Sequence, residues 1–208
     1  MRDNFWLNNI NVKLGIMSRY RRRHKVGSLV ITAIILIIVA TQSGWLASGT
    51  KKAEVNQPGL YNIDHYVDGD TIAVNMNGNI ETIRFIGVDT PETHRPNTPV
   101  QCYGELAAAN TKNQISKFGK VRLQADPLDT NRDVYGRLLR YVYLPDGTLM
   151  DEQIIKQGYG FAYLCFPFSK KNQFAADQQT AQAAKVGLWS ACQPTVNQYG
   201  GYTSNPAT

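Results

Sequence analysis

The chain has 208 residues, 43% of them hydrophobic, with 22 Lys and Arg against 16 Asp and Glu and a net charge of +6 at neutral pH. That length allows one domain with a real core plus appendages. The whole excess charge falls in residues 1–26, where seven basic side chains meet one acid, so the remainder is neutral and a broad basic surface for nucleic acid is excluded; an anion site there must use a few placed arginines.

Residues 1–26 end in Arg19, Arg21, Arg22, Arg23 and Lys25 and read as a cytoplasmic basic segment. Residues 27–47 form an uncharged run rich in Ile, Leu and Val, close to the roughly 20 residues that a spanning helix needs. Two readings stand. The run is an uncleaved anchor with Trp45 at the interface, or a signal sequence cleaved near Ala47-Ser48-Gly49. Both export the chain beyond residue 47, and the expected location is the outer face of the cell membrane or the exterior. Residues 48–59, polar and containing Pro58, read as a linker.

The folded domain is expected over residues 60–192. Residues 60–67 and 71–76 are β-type runs parted by Asp68-Gly69-Asp70, and Asn77-Gly78-Asn79 signals a hairpin into a third strand. That third strand holds Ile83, Phe85 and Val88, with Arg84 set among them. A guanidinium in an apolar strand demands carboxylates or a bound anion, because burying it unpaired costs several kcal/mol. Asp89 and Glu92 come next, at the turn that Pro91 forces, so the strand carries its charges to one rim.

Residues 94–101 read as an exposed loop. Residues 105–118 read as a helix whose apolar face is Leu106, Ala109, Ile115 and Phe118, with Gly119 as its stop. Residues 121–125 alternate as a half-solvated strand, and residues 138–144 supply another that turns at Asp146-Gly147. A short helix spans 151–157, an aromatic extended segment 161–166, and a last helix 171–185 whose Lys and Gln residues read as a solvated face. Residues 193–208, built of Gln, Asn, Gly, Pro, Ser and Thr, are expected to be disordered. The fold class is α+β: a five-stranded barrel of the oligonucleotide-binding type with three helices, preceded by one N-terminal hydrophobic helix.

Three cysteines leave one over after any pairing. Cys102 with Cys192 is the preferred bridge, tying the start of the first long helix to the chain beyond Trp189; Cys165 is then expected to be buried beside the site. His24, His65 and His94 lack metal-ligand spacing.

Taken in order, Asp68-Gly69-Asp70-Thr71, Ile83-Arg84-Phe85, Val88-Asp89-Thr90-Pro91-Glu92-Thr93, Asp133-Val134-Tyr135-Gly136-Arg137 and Gly187-Leu188-Trp189-Ser190 resemble the signatures of the staphylococcal nuclease family. The resemblance covers nearly two thirds of the chain. It implies a calcium-dependent phosphodiesterase that acts on single-stranded or unpaired DNA and RNA and leaves 3′-phosphorylated ends. In that family the counterparts of Arg84, Glu92 and Arg137 are catalytic, and those of Asp70, Asp89 and Thr90 bind Ca²⁺. Tyr135 and Tyr163 resemble positions that flank the terminal nucleotide.

The residues suit those roles. Asp70, Asp89 and the Thr90 carbonyl are hard oxygen donors, Glu92 can accept a proton from water, and Arg84 and Arg137 can each grip two phosphate oxygens. One departure stands out: the family's best-known member has a lysine where this chain has Val134, so one phosphate contact is missing. The protein is expected to be a monomer whose partners are nucleic acid and, through its N-terminal segment, the membrane. The competing reading is a catalytically inert nucleic-acid or protein binding module on the same barrel, a role that needs no such set of acids and arginines.

Overall fold

The computed structural model describes residues 59–94 and 98–207. The basic segment, the hydrophobic run at 27–47, nearly all of the linker and Arg95 lie outside them. Among the described residues no helix is long and apolar enough to cross a membrane.

Three strands open the domain as a meander: β1 (Tyr61–Tyr66), β2 (Thr71–Met76) and β3 (Asn79–Phe85). The β2–β3 turn is tight because Asn77 and Gly78 both take positive φ, 57° and 93°, the conformation that a two-residue hairpin requires. β2 is buried along Thr71–Val74, whereas β3 alternates at its end, with Ile83 and Phe85 inward and Arg84 between them. β4 (Val88–Asp89) is a two-residue strand just past the barrel wall.

The helix α1 (Gly104–Ser116) comes next, then β5 (Lys120–Gln124) and β6 (Leu138–Tyr143). The five long strands close as β1-β2-β3-β6-β5. Every pairing is antiparallel except the seam, where β3 and β6 run parallel with Ile83 opposite Leu138 and Arg84 opposite Leu139. The interior is filled by Ile72, Val74, Ile83, Phe85, Val121, Leu123 and Val142. Full burial of each such aliphatic side chain contributes about 1.5–3 kcal/mol.

Three further helices follow: α2 (Met150–Lys156), which packs on β6, α3 (Lys171–Ala183), which packs on α2, and the single turn α4 (Leu188–Ala191). The described residues thus hold four helices against the three expected, the extra one being the Leu188–Ala191 turn. α1 buries Ala107, Thr111 and Ile115. Leu106 and Phe118 are instead exposed, so the buried stripe is narrower and more polar than the apolar positions suggested. Thr111 explains this, since its hydroxyl donates to the Gly69 carbonyl at 2.6 Å. On α3, Gln178 is likewise buried and accepts from the Ala162 N–H at 2.8 Å, while Gln179 and Thr180 face solvent.

α2 carries an unusual core residue. Asp151 is fully buried; its Oδ2 accepts from the Val142 N–H at 2.9 Å, whereas Oδ1 makes no hydrogen bond of ordinary geometry. Burial, only partly offset by the N–H dipoles of Val142, Asp151 and Ile86, pushes its carboxyl up to about 8.

Three further expectations need correction. The aromatic segment at 161–166 supplies only β7 (Phe161–Ala162), paired with β4, because that partner is itself two residues long. The tail expected to be disordered is folded: β8 (Thr195–Val196) and β9 (Tyr202–Thr203) make a hairpin. Composition argued for disorder, but Tyr202 stacks on Phe161 at 5.8 Å and meets Trp189 edge-on at 5.1 Å. These aromatic contacts stabilise the segment beyond their buried area. The Cys102–Cys192 disulfide is present, and Cys165 is exposed, not buried, with its thiol 3.4 Å from the Tyr199 carbonyl.

Candidate active site

The site grows from the end of β3. Arg84 directs both Nη groups at protein acceptors: Nη1 donates to the Val88 carbonyl at 2.7 Å and to the Phe85 carbonyl at 3.2 Å, and Nη2 to Asp89 Oδ1 at 2.9 Å. The same Nη2 lies 3.2 Å from Asp70 Oδ2. Burial alone would lower the Arg84 pKa, but the charges of Asp70, Asp89 and Asp68 outweigh it and hold it above the ordinary value. The guanidinium therefore stays charged inside the protein wall, as its place in an apolar strand required.

Asp70 is a buried hub. Its Oδ2 also accepts from the Thr90 N–H at 2.8 Å and the Thr90 hydroxyl at 3.1 Å, and Oδ1 accepts from the Thr71 hydroxyl at 3.0 Å. One carboxylate thereby clamps the β1–β2 turn to the turn after β4. The glycine between the two aspartates is a steric requirement, since a Cβ on Gly69 would stand 2.8 Å from the Thr90 side chain. Asp68 caps the turn by accepting the Asp70 N–H at 3.1 Å. Burial first, and then the neighbouring Asp70 charge, pushes its own carboxyl up to about 7, against the pull of that N–H and of Arg84.

Asp70, Arg84, Asp89 and Thr90 are thus in direct contact, with Asp68 beside them. Tyr163 borders the same group: its N–H donates to the Gly87 carbonyl at 2.8 Å. Its phenol is pushed up by burial first, then by Cys165 and Asp89, with Arg84 opposing. Glu92 lies two residues beyond Thr90, with its peptide held from both sides by Gln101: the Gln101 N–H donates to Glu92 O at 2.9 Å and Gln101 Oε1 accepts the Glu92 N–H at 2.8 Å.

Arg137 stands just before β6, two residues from the partner of Arg84 across the parallel seam, so strand spacing sets the two Cα atoms roughly 8 Å apart. Its Nε donates to Asp133 Oδ2 at 2.7 Å, and Asp133 Oδ1 accepts from the N–H groups of Tyr135 and Arg137 at 3.0 and 2.9 Å. This turn leaves Tyr135 81% and Val134 93% exposed, with the Arg137 guanidinium 5.4 Å from the Tyr135 ring. Tyr135 is a rim residue and not core packing.

Sequence reasoning did not single out Asp68, Asp133 or Gln101. The signal for Asp133 was available: an aspartate four residues before an arginine, with a glycine between, is the pattern of a side-chain-closed turn. Asp68 sat in plain view in the Asp-Gly-Asp motif, but a paired carboxylate and a turn former read alike.

The donor set suits a hard divalent cation. Asp70 and Asp89 converge on one nitrogen of Arg84, and Asp68, pushed up first by burial and then by the Asp70 charge, stands beside them. Among the described residues there is no cluster of three or more His, Cys, Asp or Glu able to hold a metal. Two carboxylates and a backbone carbonyl would therefore leave much of the ion's coordination to water and substrate oxygen.

Residues 82–191 match the family model described as staphylococcal nuclease homologue. The chain is 45% identical over 130 residues to the SPbeta prophage-derived endonuclease YokF of Bacillus subtilis (strain 168), covering 62% of this chain and 43% of that protein. It is 45% identical over 139 residues to the endonuclease YncB of the same organism, covering 65% and 64%. The chain therefore spans less than two thirds of the length of either. Against the thermonuclease of Staphylococcus hyicus it is 37% identical over 166 residues, covering 78% of the chain and 94% of that protein.

Proposed function

The chain belongs to the staphylococcal nuclease family, and from that premise we propose that it is a calcium-dependent nuclease that hydrolyses phosphodiester bonds in single-stranded or unpaired DNA and RNA, leaving 3′-phosphorylated ends. The observation that carries the proposal is the bridge from Asp70 and Asp89 to Arg84. Such a bridge supplies both signs of charge that a phosphate ester needs: carboxylates for a cation and a fixed guanidinium for the phosphate oxygens.

Asp70, Asp89 and the Thr90 carbonyl would hold Ca²⁺, which when bound supplies Lewis-acid polarisation of a phosphate oxygen and orients the ester. Arg84 meets the phosphate with its charge already fixed by the strand, so little reorganisation remains when negative charge grows at phosphorus. Arg137 does the same from the next strand, and its tie to Asp133 presents the guanidinium plane beside Tyr135. Glu92 takes a proton from the attacking water, and Gln101 fixes where its peptide sits. Tyr135 and Tyr163 offer ring faces to the terminal base, a contact that tolerates any sequence. The exposed Tyr135 ring, with few cations around it, favours unpaired strands, whose bases can reach it. The site works as a monomer.

The reading includes export through residues 27–47, retained as an anchor or cleaved. The Cys102–Cys192 disulfide supports it, since such bonds persist in oxidising compartments.

The test is digestion of heat-denatured DNA with calcium or with a chelator, beside Glu92→Gln and Arg84→Ala. Each variant removes about 3–4 kcal/mol of transition-state stabilisation and should lower kcat by two to three orders of magnitude. Products should resist 3′ extension until treated with phosphatase. Absence of calcium-dependent digestion by the unaltered protein would favour the inert binding module, and equal digestion by all samples would expose a contaminant.

A further inference from the structure

Residues 193–207 lie beyond the stretch that the family model matches, yet they are bonded closely into the domain. After β9 the chain runs beside residues 100–102. The Cys102 N–H donates to the Asn205 carbonyl at 2.7 Å, the Ala207 N–H to the Val100 carbonyl at 2.8 Å, and the Ser204 hydroxyl to the Cys102 carbonyl at 2.9 Å. Gln101 and Pro206 form an antiparallel bridge between these bonds. The Cys102–Cys192 disulfide joins the two ends of this arrangement, and the Gln193 N–H donates to Asn205 Oδ1 at 2.8 Å.

Both neighbours of Gln101 are thus tied to the same segment. Gln101 in turn grips the Glu92 peptide through its backbone N–H and its side-chain oxygen. The corner is packed closely as well: a Cβ on Gly104 would stand 3.0 Å from the Glu92 carbonyl oxygen. A chain of direct contacts therefore leads from the Phe161–Tyr202–Trp189 aromatic cluster, through residues 204–207, to Gln101 and the peptide of Glu92.

We propose that residues 193–207 are a positioning strap for Glu92 and that Gln101 is the positioning residue through which the strap acts. The proposed effect on turnover rests on the nuclease reading above; the effect on the Glu92 peptide does not. Proton transfer from water needs the carboxylate at hydrogen-bond range of its target. Misplacement of such a group by about 1 Å can cost on the order of 100-fold in rate. The strap removes that freedom without touching substrate, so its loss should show in kcat and spare KM.

The experiment uses the full chain with Gln101→Ala, Gln101→Glu, Tyr202→Ala and the Gln101→Ala/Tyr202→Ala pair. Hydrogen exchange is read at the Glu92 amide and at β2 amides, and kcat and KM are read on heat-denatured DNA with calcium. Exchange at Glu92 should speed up at least about tenfold in Gln101→Ala and Tyr202→Ala, while β2 amides hold their protection. Gln101→Glu keeps an acceptor oxygen and should keep exchange at the Glu92 amide within about twofold of the unaltered protein. Turnover should fall about 10- to 100-fold in the two alanine variants with KM within about twofold, and the pair should lose no more than Gln101→Ala alone. Unchanged Glu92 exchange, equal acceleration of β2 amides, or losses that multiply in the pair would each overturn the strap. If the unaltered protein does not cleave DNA, the nuclease reading fails by itself, and exchange at Glu92 alone decides the proposal in either direction.

Discussion

Asp151 gives the sharpest quantitative test of the fold. Its carboxyl titrates near 3.8 in ordinary surroundings and is pushed to about 8 in the folded chain. Between these values the folded state holds a proton that the unfolded chain gives up, so stability is full below pH 4 and declines as pH rises through 8. At pH 7 the penalty is about 1.36 kcal/mol for each of the roughly three pH units above 3.8, on the order of 4 kcal/mol. Asp151→Asn removes the titration and keeps an acceptor for the Val142 N–H. The new amide also brings donors to a place where Oδ1 finds no good partner, a constant cost of about 1–3 kcal/mol. The absolute change at one pH is therefore ambiguous, but its pH dependence is not. Urea unfolding followed by circular dichroism should show the variant gaining on the parent by on the order of 4 kcal/mol between pH 5 and pH 8. Other titrating groups are common to both proteins and cancel. A difference constant within about 0.5 kcal/mol over that range would show that Asp151 is ionised in the fold and that the burial argument is wrong.

Single contacts set the other expected outcomes. Reducing the Cys102–Cys192 bond, or replacing both cysteines with serine, should cost about 2–5 kcal/mol in urea unfolding, because the bridge closes a loop with a sequence separation of 90. Gly69→Ala should lower stability by about 1–3 kcal/mol and weaken calcium binding measured by calorimetry, since the added methyl meets Thr90 at 2.8 Å. Val134→Lys places a cation beside Tyr135 and Arg137 on a fully exposed tip. It should lower KM for denatured DNA by about 3- to 10-fold at low salt and lose that advantage at high salt, with kcat unchanged.

Local rules made the barrel strands readable. Asn77-Gly78 fixed a hairpin, alternation fixed which side of β5 faces inward, and Arg84 in an apolar strand announced the carboxylates that hold it. The contacts among Asp70, Arg84, Asp89 and Thr90 were foreseeable because charge balance in a buried setting leaves few solutions. The parallel seam between β3 and β6 was not, since a register between distant segments has no local signature. The same holds for residues 193–207, whose polar composition describes an isolated chain, whereas Tyr202 finds its stability against Phe161 and Trp189. Gln101 looked like a loop residue because its partners, Glu92 and Pro206, lie on opposite sides in sequence.

The parallel seam also dictates an order of assembly. β1, β2 and β3 are joined by short turns and can zip together as soon as they exist, but Ile83 must wait for Leu138, about 55 residues further on, before the cylinder can shut. Bringing such distant segments together is the slow and entropically costly part of reaching the native state. Until then the β3 edge beside Arg84 is open. The rate of closure therefore sets how long that edge stays free to pair with the wrong strand or with another chain.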